Sequence, residues 1–428
     1  MEAKSAGEKT VKEGPDFQLA NSLPVPAQMN SAAGSSTEPW VYSRLLGARK
    51  DTVANSDTHL KGPRFGLKRQ VEKILSRADI TIGDNRPWDI TVTDERFYGR
   101  VLLRGSLGLG ESYVDGWWDC LSLDQFFSRV LSANLDRNLL WNWSSALRHL
   151  RVAGFNQQTR SRAERAVRQH YDLGNELYQK MLDRRMVYSC ARWEHAANLE
   201  EAQKGKLDFV CRKLDLRPGI TLLDIGCGWG SLAKFAARVY GAKVCGITLS
   251  RQQMQLAQEV CKGLPVQIFL RDYRDAHGTF DRVASLGMFE HVGDKNYVRF
   301  FETVCRCLRP GGLFFLSTIG SNDSFHVTDP WIDKYIFPNS YLPSAALITR
   351  AMEGLFLLQD WENWAPDYDR TIMAWFENFQ RQWGDLEPRY GARFYRMWKY
   401  YLMGAAASFR ARRNHVWQIL MVRQQALC

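Results

Sequence analysis

The 428-residue sequence contains no apolar run long enough to span a bilayer, and no apolar stretch follows its first residues. A membrane-spanning helix needs roughly 20 apolar residues, and a signal peptide needs an apolar core near its start. We therefore expect a cytoplasmic protein. Its nine cysteines are scattered through apolar or helical segments, and in that compartment we expect them to be reduced thiols.

Clusters of metal-binding residues are also lacking. Cys305 and Cys307 have a C-x-C spacing, but the segment around them, YVRFFETVCRC, has the periodicity of a helix. No second pair of ligands lies nearby, as a structural zinc site would require. The prediction is buried thiols and no metal ion.

Acidic residues are absent from Arg389 onward, whereas eight Lys or Arg occur there. With the formal net charge of +11, this asymmetry indicates an anionic partner. Because no RNA- or DNA-binding module accompanies the charge, no nucleic acid is expected. Aromatic residues in this stretch suit the boundary of lipid head groups, or else form core beneath a solvated basic face. They are Phe394, Trp398, Tyr401, Phe409 and Trp417.

The chain divides by composition and pattern into four segments. Residues 1–63 are rich in Ser, Ala, Pro and Gly and predict a disordered tail, 64–150 predict a small α+β domain, and 151–169 form a basic linker. In the catalytic segment, 170–428, strands and helices alternate. This alternation predicts an α/β fold with a doubly wound parallel sheet, whose ligand lies at the carboxyl ends of the strands. The predicted strands are 221–226, 244–249, 266–271, 281–288 and 312–318, and the late apolar runs GLFLLQDWENW and HVWQILMVRQQ can extend the sheet.

A glycine-rich turn, LLDIGCGWGSLA, follows the first of these strands. Glycines let the backbone turn tightly and approach a ligand. A dinucleotide would require an acidic residue at the end of the second strand, where this sequence has Thr248 and Leu249. The turn therefore favours S-adenosylmethionine over a dinucleotide or an empty turn, with Asp272 after the third strand placed to meet the adenine amino group. The residues of the turn are Asp224, Gly226, Cys227, Gly228 and Gly230.

Seven motifs between about Arg64 and Gln424 resemble the cyclopropane-fatty-acyl-phospholipid synthases. The resemblance implies a doubly wound, Rossmann-like class I methyltransferase sheet behind the small N-terminal α+β domain and the disordered tail. It also implies transfer of a methylene group from S-adenosylmethionine to the cis double bond of a membrane phospholipid, through a carbocation deprotonated by bound bicarbonate. The motifs are GSLGLGESYVDGWW, HYDLGNELY, YSCARW, LLDIGCGWGSLA, SLGMFEHVG, DPWIDKYIFPN and DYDRTIMAWF.

By position in these motifs, the resemblance implies a bicarbonate site made of Cys190, Glu290, the backbone of Ile319, and Tyr368. Glu290 has the greatest weight, because a carboxylate beside an anion must share a proton with it. Ser317 stands where the family usually has histidine. A serine hydroxyl can still bond the anion, but it carries no charge and cannot relay protons in the same way.

Each side chain of the implied bicarbonate site also has a purely structural alternative. Glu290 would be a helix-stabilising carboxylate, Cys190 a buried thiol and Tyr368 a packing ring. The resemblance further implies which residues contact S-adenosylmethionine. For His170 and His291, structural hydrogen bonding is the preferred interpretation. The implied cofactor contacts are Tyr188, Ser189, Gly226, Gly228, Thr248, Gln253, Asp272 and Tyr273, to which the turn and the second strand add Asp224, Cys227, Gly230 and Leu249.

Three other functions remain open. If Ser317 leaves the base misaligned, the product would be a methyl-branched or methylene fatty acid. The other two alternatives are an amine N-methyltransferase and a non-catalytic lipid-binding homologue. The favoured function implies an unsaturated phospholipid as the partner, peripheral association with the membrane surface, and compatibility with a homodimer. The net positive charge favours anionic lipid.

Overall fold

The computed structural model describes residues 64–135, 158–160, 162, 173–324 and 328–425. The predicted tail (1–63) lies outside these ranges, as do His170 and most of the predicted linker (151–169). What was expected of them stays a prediction.

The first described elements form a small module of helices and short strands. The strands β1 and β2 pair antiparallel, and Trp118 of β2 is fully buried among the rings of Phe97, Tyr113 and Phe126. This is the α+β character predicted for this part of the chain. The elements are α1 (Arg64–Ser76), β1 (Ile90–Val92), α2 (Arg96–Val114), β2 (Trp118–Cys120) and α3 (Leu123–Ser132).

The sheet of the catalytic segment has seven strands in the order β5-β4-β3-β6-β7-β9-β8. The five strands from β5 to β7 are parallel, and β9 runs antiparallel to both β7 and β8. The predicted doubly wound sheet is therefore confirmed, and both late apolar runs extend it. Its strands are β3 (Thr221–Ile225), β4 (Lys243–Thr248), β5 (Val266–Leu270), β6 (Phe280–Leu286), β7 (Leu308–Ser321), β8 (Phe356–Asn363) and β9 (Asn414–Arg423).

Capping side chains fix where several helices begin. Asn198, Ser250, Asp329 and Ser344 each accept a hydrogen bond from a backbone N–H in the first turn, an interaction worth about 1 kcal/mol. The helices are α4 (Asn175–Met181), α5 (Leu199–Lys213), α6 (Ser231–Tyr240), α7 (Arg251–Val260), α8 (Tyr297–Cys307), α9 (Pro330–Tyr335), α10 (Ala345–Met352), α11 (Ala365–Arg381) and α12 (Trp383–Arg410). Single 3-10 turns occupy Tyr273–Asp275, Phe289–His291 and Asp294–Asn296.

The aromatic and basic residues of α12 belong to the core and to ion pairs, so the head-group interpretation of this helix is wrong. Phe394 and Trp398 stack with centroids 5.5 Å apart, and both are fully buried. Arg393 pairs with Asp115 of the N-terminal module at 2.5 Å. Rings that are already removed from water inside the protein cannot insert at a head-group boundary. Tyr401, Phe409 and Trp417 are likewise buried.

Two motifs hold the N-terminal module against the catalytic segment. Gly110 of α2 lies against the indole of Trp331 so closely that an added Cβ would be 2.7 Å from Nε1. Next to it, the buried carboxylate of Glu111 accepts hydrogen bonds from Lys334 at 2.8 Å and from Tyr335 at 3.1 Å. Gly110 of the motif GSLGLGESYVDGWW thus serves close packing between the segments.

The cysteines in the described ranges are buried, and seven of them are free thiols. Cys305 is disulfide-bonded, so the expectation of reduced thiols is wrong at that residue. No helix in the described part of the chain has the length and apolarity needed to cross a membrane.

Candidate active site

A cavity opens at the carboxyl ends of β3, β4, β5 and β6, where a doubly wound sheet binds its ligand. Most of the residues predicted to contact the cofactor line it, because each follows or ends one of these strands or lies in the segment before α5. Those lining it are Tyr188, Ser189, Asp224, Gly226, Cys227, Gly228, Thr248, Leu249, Gln253, Asp272 and Tyr273.

The three glycines of the turn have different tasks. Gly226 has φ +81°, and a Cβ there would lie 2.7 Å from that of Met288, so no side chain fits. Gly228 has φ +54° and faces open space, which leaves its backbone accessible to a ligand. Gly230, also predicted to contact the cofactor, is not among the lining residues. A Cβ there would lie 3.1 Å from that of Ala257, so Gly230 lets the turn pack against α7.

Unpaired carboxylate oxygens line the cavity. Oδ2 of Asp224 and Oδ2 of Asp272 are buried without a hydrogen-bond partner in the described part of the protein. Thr248 and Gln253, by contrast, bond each other at 2.8 Å. Buried polar atoms are nearly always paired, so we expect a ligand in the cavity to donate hydrogen bonds to these two oxygens. S-adenosylmethionine offers an ammonium group, ribose hydroxyls and an adenine amino group, and the residues present fit it.

Glu290 lies in the 3-10 turn after β6, and its carboxylate is almost completely buried. The backbone N–H of Ile319 donates to Oε1 at 2.6 Å, while Oε2 is buried without a partner among the described residues. Burial raises the pKa of Glu290 to about 7, against the lowering effect of the Ile319 hydrogen bond. The Tyr341 N–H donates to the Glu290 carbonyl and fixes the turn. The group is placed to exchange a proton near neutral pH.

The other predicted catalytic residues lie on β7, on α11 and in the segment before α5, and they do not line the cavity. Ser317 precedes Ile319 on β7, is 8% exposed, and lies opposite Gln418 of β9. Cys190 is buried, and its sulfur donates to the carbonyl of Trp364 at 3.7 Å rather than to Glu290. Burial raises the pKa of the Cys190 thiol, so it stays protonated. The structure therefore joins Glu290 directly to Ile319 and leaves Cys190 a separate donor.

Tyr368, on α11, belongs to an aromatic cluster beside the cavity. Its ring packs 4.7 Å from that of Phe409 and 5.8 Å from that of Trp375, which in turn lies 5.0 Å from the ring of Tyr188. The hydroxyls of Tyr188 and Tyr401 are 3.0 Å apart. We define the aromatic cluster as these five residues, which link the cofactor-lining Tyr188 to α11 and α12.

Sequence patterns missed several lining residues. Lys206 is the most informative, because it is 3% exposed on the apolar face of α5, one turn from Ala202 and Val210. A lysine at a core-facing helical position was the signal that would have revealed it. His291, for which a structural role was preferred, lines the cavity as well. The remaining missed residues include Trp229, Arg271, Arg274 and Met288.

Lys206 and Asp224 are buried charged residues of the cavity wall that attract each other. Burial lowers the pKa of Lys206 and raises that of Asp224, and the attraction between the two groups opposes both shifts. Among the described residues, no three His, Cys, Asp or Glu side chains gather as metal ligands would.

Known proteins are similar to this chain over the segment that contains the site and over part of the N-terminal module. The model of the mycolic acid cyclopropane synthetase family matches residues 158–419. The cyclopropane-fatty-acyl-phospholipid synthase of Escherichia coli is 50% identical over 355 residues, 83% of this chain and 93% of the relative. A probable fatty acid methyltransferase of Pseudomonas putida is 39% identical over 277 residues, 61% of this chain and 70% of the relative.

Among solved structures, the mycolic acid cyclopropane synthase CmaA1 complexed with SAH and CTAB superposes with a TM-score of 0.57 at 30% identity, covering 60% of this chain and 98% of that one. The resemblance found in the motifs and the predicted methyltransferase fold are therefore confirmed. The chain belongs to the mycolic acid cyclopropane synthetase family of S-adenosylmethionine-dependent methyltransferases.

Proposed function

We propose that this enzyme transfers a methylene group from S-adenosylmethionine to the cis double bond of an unsaturated acyl chain in a membrane phospholipid, forming a cyclopropane fatty acid. The observation that carries the proposal is the carboxyl of Glu290, buried beside the cofactor cavity with one oxygen fixed by Ile319 and the other unpaired among the described residues. The name of the E. coli relative, a cyclopropane-fatty-acyl-phospholipid synthase, supports the substrate class.

Two bound groups are required for this reaction. S-adenosylmethionine supplies an electrophilic methyl group, and bicarbonate supplies a base for one proton. Asp224, Asp272 and the Gly228 backbone would hold the first, since they offer unpaired acceptors and an open approach. Glu290, the protonated thiol of Cys190 and the hydroxyl of Ser317 would hold the second.

The aromatic cluster suits the positive charge that develops on the acyl chain. An alkene is a weak nucleophile, so the protein must align it with the methyl group and exclude water, which would trap the cation. Tyr188 lines the cavity, and its ring packs against that of Trp375, which in turn contacts the ring of Tyr368. The faces of such rings attract cations without supplying a nucleophile.

Glu290 is the residue that would exchange the proton lost by the transferred methyl carbon. With its pKa raised to about 7, it is near half-protonated at neutral pH. A protonated Oε2 can donate to an anion, and an ionised one can accept a proton from it. The first C–C bond would form as the bond between the methyl group and the sulfonium sulfur breaks. When the methyl carbon then loses a proton to the bound base, its C–H electrons would form the second ring bond, and Oε2 of Glu290 would be placed to accept that proton.

Lipid binding at the membrane surface is assigned to the N-terminal module rather than to α12. Its Trp88 lies beneath Arg86 and Arg129, and Leu121 is 81% exposed. Tryptophan with arginine and a protruding apolar side chain suits a head-group boundary. The net charge of +11 favours anionic lipid, and peripheral association from the cytoplasm follows. Homodimer formation stays a prediction.

The testing experiment combines purified protein, methyl-labelled S-adenosylmethionine and vesicles of an unsaturated phospholipid, with and without bicarbonate. Fatty acids are then identified by mass spectrometry. A labelled cyclopropane product whose formation depends on bicarbonate is expected. Label in S-adenosylmethionine alone, with no lipid product, would overturn the proposal.

A second product class has one observation in its favour. Ser317 lacks the basic ring that the family usually has at this position, and the P. putida relative is named a fatty acid methyltransferase. With a poorly aligned base, the cation would shift a hydride or lose another proton and give a methyl-branched or methylene fatty acid. The same mass spectra distinguish these products from a cyclopropane.

A further inference from the structure

Lys206 is a buried amine in the wall of the cofactor cavity. Its side chain projects from the inner face of α5, and Nζ donates to Oγ of Ser189 at 2.9 Å. A lysine is almost never fully buried without a counter-charge, because its ammonium loses the hydration that water supplies. Two of its three N–H donors remain for other partners.

Two carboxylates are near enough to influence Lys206, and they differ in what they already bond. Asp183 accepts hydrogen bonds from the backbone N–H groups of Val187, at 2.9 Å, and Arg185, at 3.2 Å. Asp224 lines the cavity, and its Oδ2 has no partner among the described residues. At the end of β3 the cavity wall therefore presents an ammonium group and a carboxylate, Lys206 and Asp224, whereas the other charged lining residues, Arg271, Asp272 and Arg274, follow β5.

The Lys206 contact also sets the direction of the Ser189 hydroxyl. An ammonium group only donates, so Oγ of Ser189 must accept, and its own O–H is left to donate elsewhere. Within the described residues no acceptor for that O–H is found. Lys206 and Ser189 together thus form a donor pair that suits a carboxylate.

We propose that Lys206, with the Ser189 hydroxyl it orients, binds the carboxylate of the methionine part of S-adenosylmethionine, while Asp224 receives its ammonium group. The charges of the wall then match the zwitterion at the end of the cofactor furthest from adenine. Lys206 is thereby a specificity residue for the intact amino acid. The assignment rests on the proposed use of S-adenosylmethionine, but it is independent of the lipid product.

The test compares S-adenosylmethionine with decarboxylated S-adenosylmethionine, which keeps the sulfonium and the ammonium but lacks the carboxylate. Dissociation constants are measured calorimetrically with the full chain. The unaltered protein should bind the intact cofactor at least about 30-fold more tightly. In Lys206→Met this preference should fall to about 3-fold or less, with the affinity for the decarboxylated compound nearly unchanged.

Lys204→Met is the matched control, because Lys204 lies on the same helix but is exposed; it should keep the preference of the unaltered protein. Ser189→Ala should lose part of it. Equal binding of both compounds by the unaltered protein would overturn the assignment without any variant. An equal loss of affinity for both compounds in Lys206→Met would show a structural role instead. Because the measurement is of cofactor binding, a negative result would refute the role of Lys206 without refuting the proposed lipid product. Likewise, a different lipid product would not refute the role of Lys206.

Discussion

The backbone N–H of Ile319 donates a 2.6 Å hydrogen bond to one carboxylate oxygen of Glu290. Glu290 follows β6 and Ile319 lies near the end of the neighbouring parallel strand β7, at the edge of the sheet where the cavity opens. The bond fixes one oxygen and leaves the other to an incoming group, so the carboxyl is oriented before any ligand arrives.

Replacing Glu290 by glutamine should stop turnover while preserving the cofactor site. The side-chain amide of the variant can still accept from Ile319, but it cannot exchange a proton, so kcat should fall at least about 100-fold. The dissociation constant for S-adenosylmethionine should stay within about 3-fold. Glu302→Gln, at an exposed position on α8, serves as the control and should behave like the unaltered enzyme. A large loss of cofactor affinity in Glu290→Gln would refute the role given to this carboxyl.

The raised pKa of Glu290 makes stability depend on pH. The folded state holds the proton up to about pH 7, whereas the unfolded chain releases it near pH 4.5. The free energy of unfolding should therefore fall as pH rises through this window, by about 3 kcal/mol from this group. Denaturant unfolding at pH 5 and pH 8 checks this. Relative to the unaltered protein, Glu290→Gln should gain stability at pH 8, and a pH-independent difference would contradict the assignment.

Gly228 should matter for cofactor affinity more than for folding. Alanine there costs about 1–2 kcal/mol for its left-handed backbone, and its Cβ enters the space left for the ligand. Gly219→Ala is the matched control, because its φ of +87° is also positive and its surroundings are open, but it does not line the cavity. Thermal melts should shift similarly, while only Gly228→Ala weakens S-adenosylmethionine binding, by about 10-fold or more. Equal affinities would argue against backbone contact at Gly228.

The contact between Gly110 and Trp331 predicts opposite effects for two alanine substitutions in α2. Gly110→Ala forces its Cβ against the buried indole and should destabilise by about 1–3 kcal/mol. Gly99→Ala meets nothing closer than 4.0 Å and should stabilise by up to about 1 kcal/mol through helix propensity. Urea unfolding measures both. If Gly110→Ala proved neutral, the two segments would not be held by this packing.

Binding to vesicles should be electrostatic and should depend on the N-terminal module. We expect association with anionic vesicles that weakens as salt rises. Leu121→Asp should reduce it several-fold, whereas Val239→Asp, at a side chain 57% exposed on α6, should not. Sedimentation with vesicles gives the bound fraction. If neutral vesicles at high salt bound as much protein as anionic vesicles do, electrostatic attraction would not drive the association.

Local patterns predicted the sheet and most of the cofactor cavity, because strands and glycine turns are encoded over a few residues. The predicted strand 312–318 proved to be Leu308–Ser321, since β7 continues through the Pro-Gly-Gly that normally marks a turn. The pairing of Arg393 with Asp115 was not predictable from spacing alone. It depends on a partner far away in sequence, and no short pattern specifies which residue that is.

The position of β9 has a consequence for the newly made chain. Roughly 90 residues separate the end of β7 at Ser321 from the start of β9 at Asn414, yet β9 fills the gap between β7 and β8. At translation rates of about 5–20 residues per second, β9 is synthesised about 5–20 s after β7, and until then the edge of β7 that pairs with β9 is unpaired. During that interval an apolar strand edge is available to other nascent chains. Substitutions that slow the folding of α11 or α12, which precede β9 in the chain, would therefore lower the yield of folded enzyme before they change its kinetics.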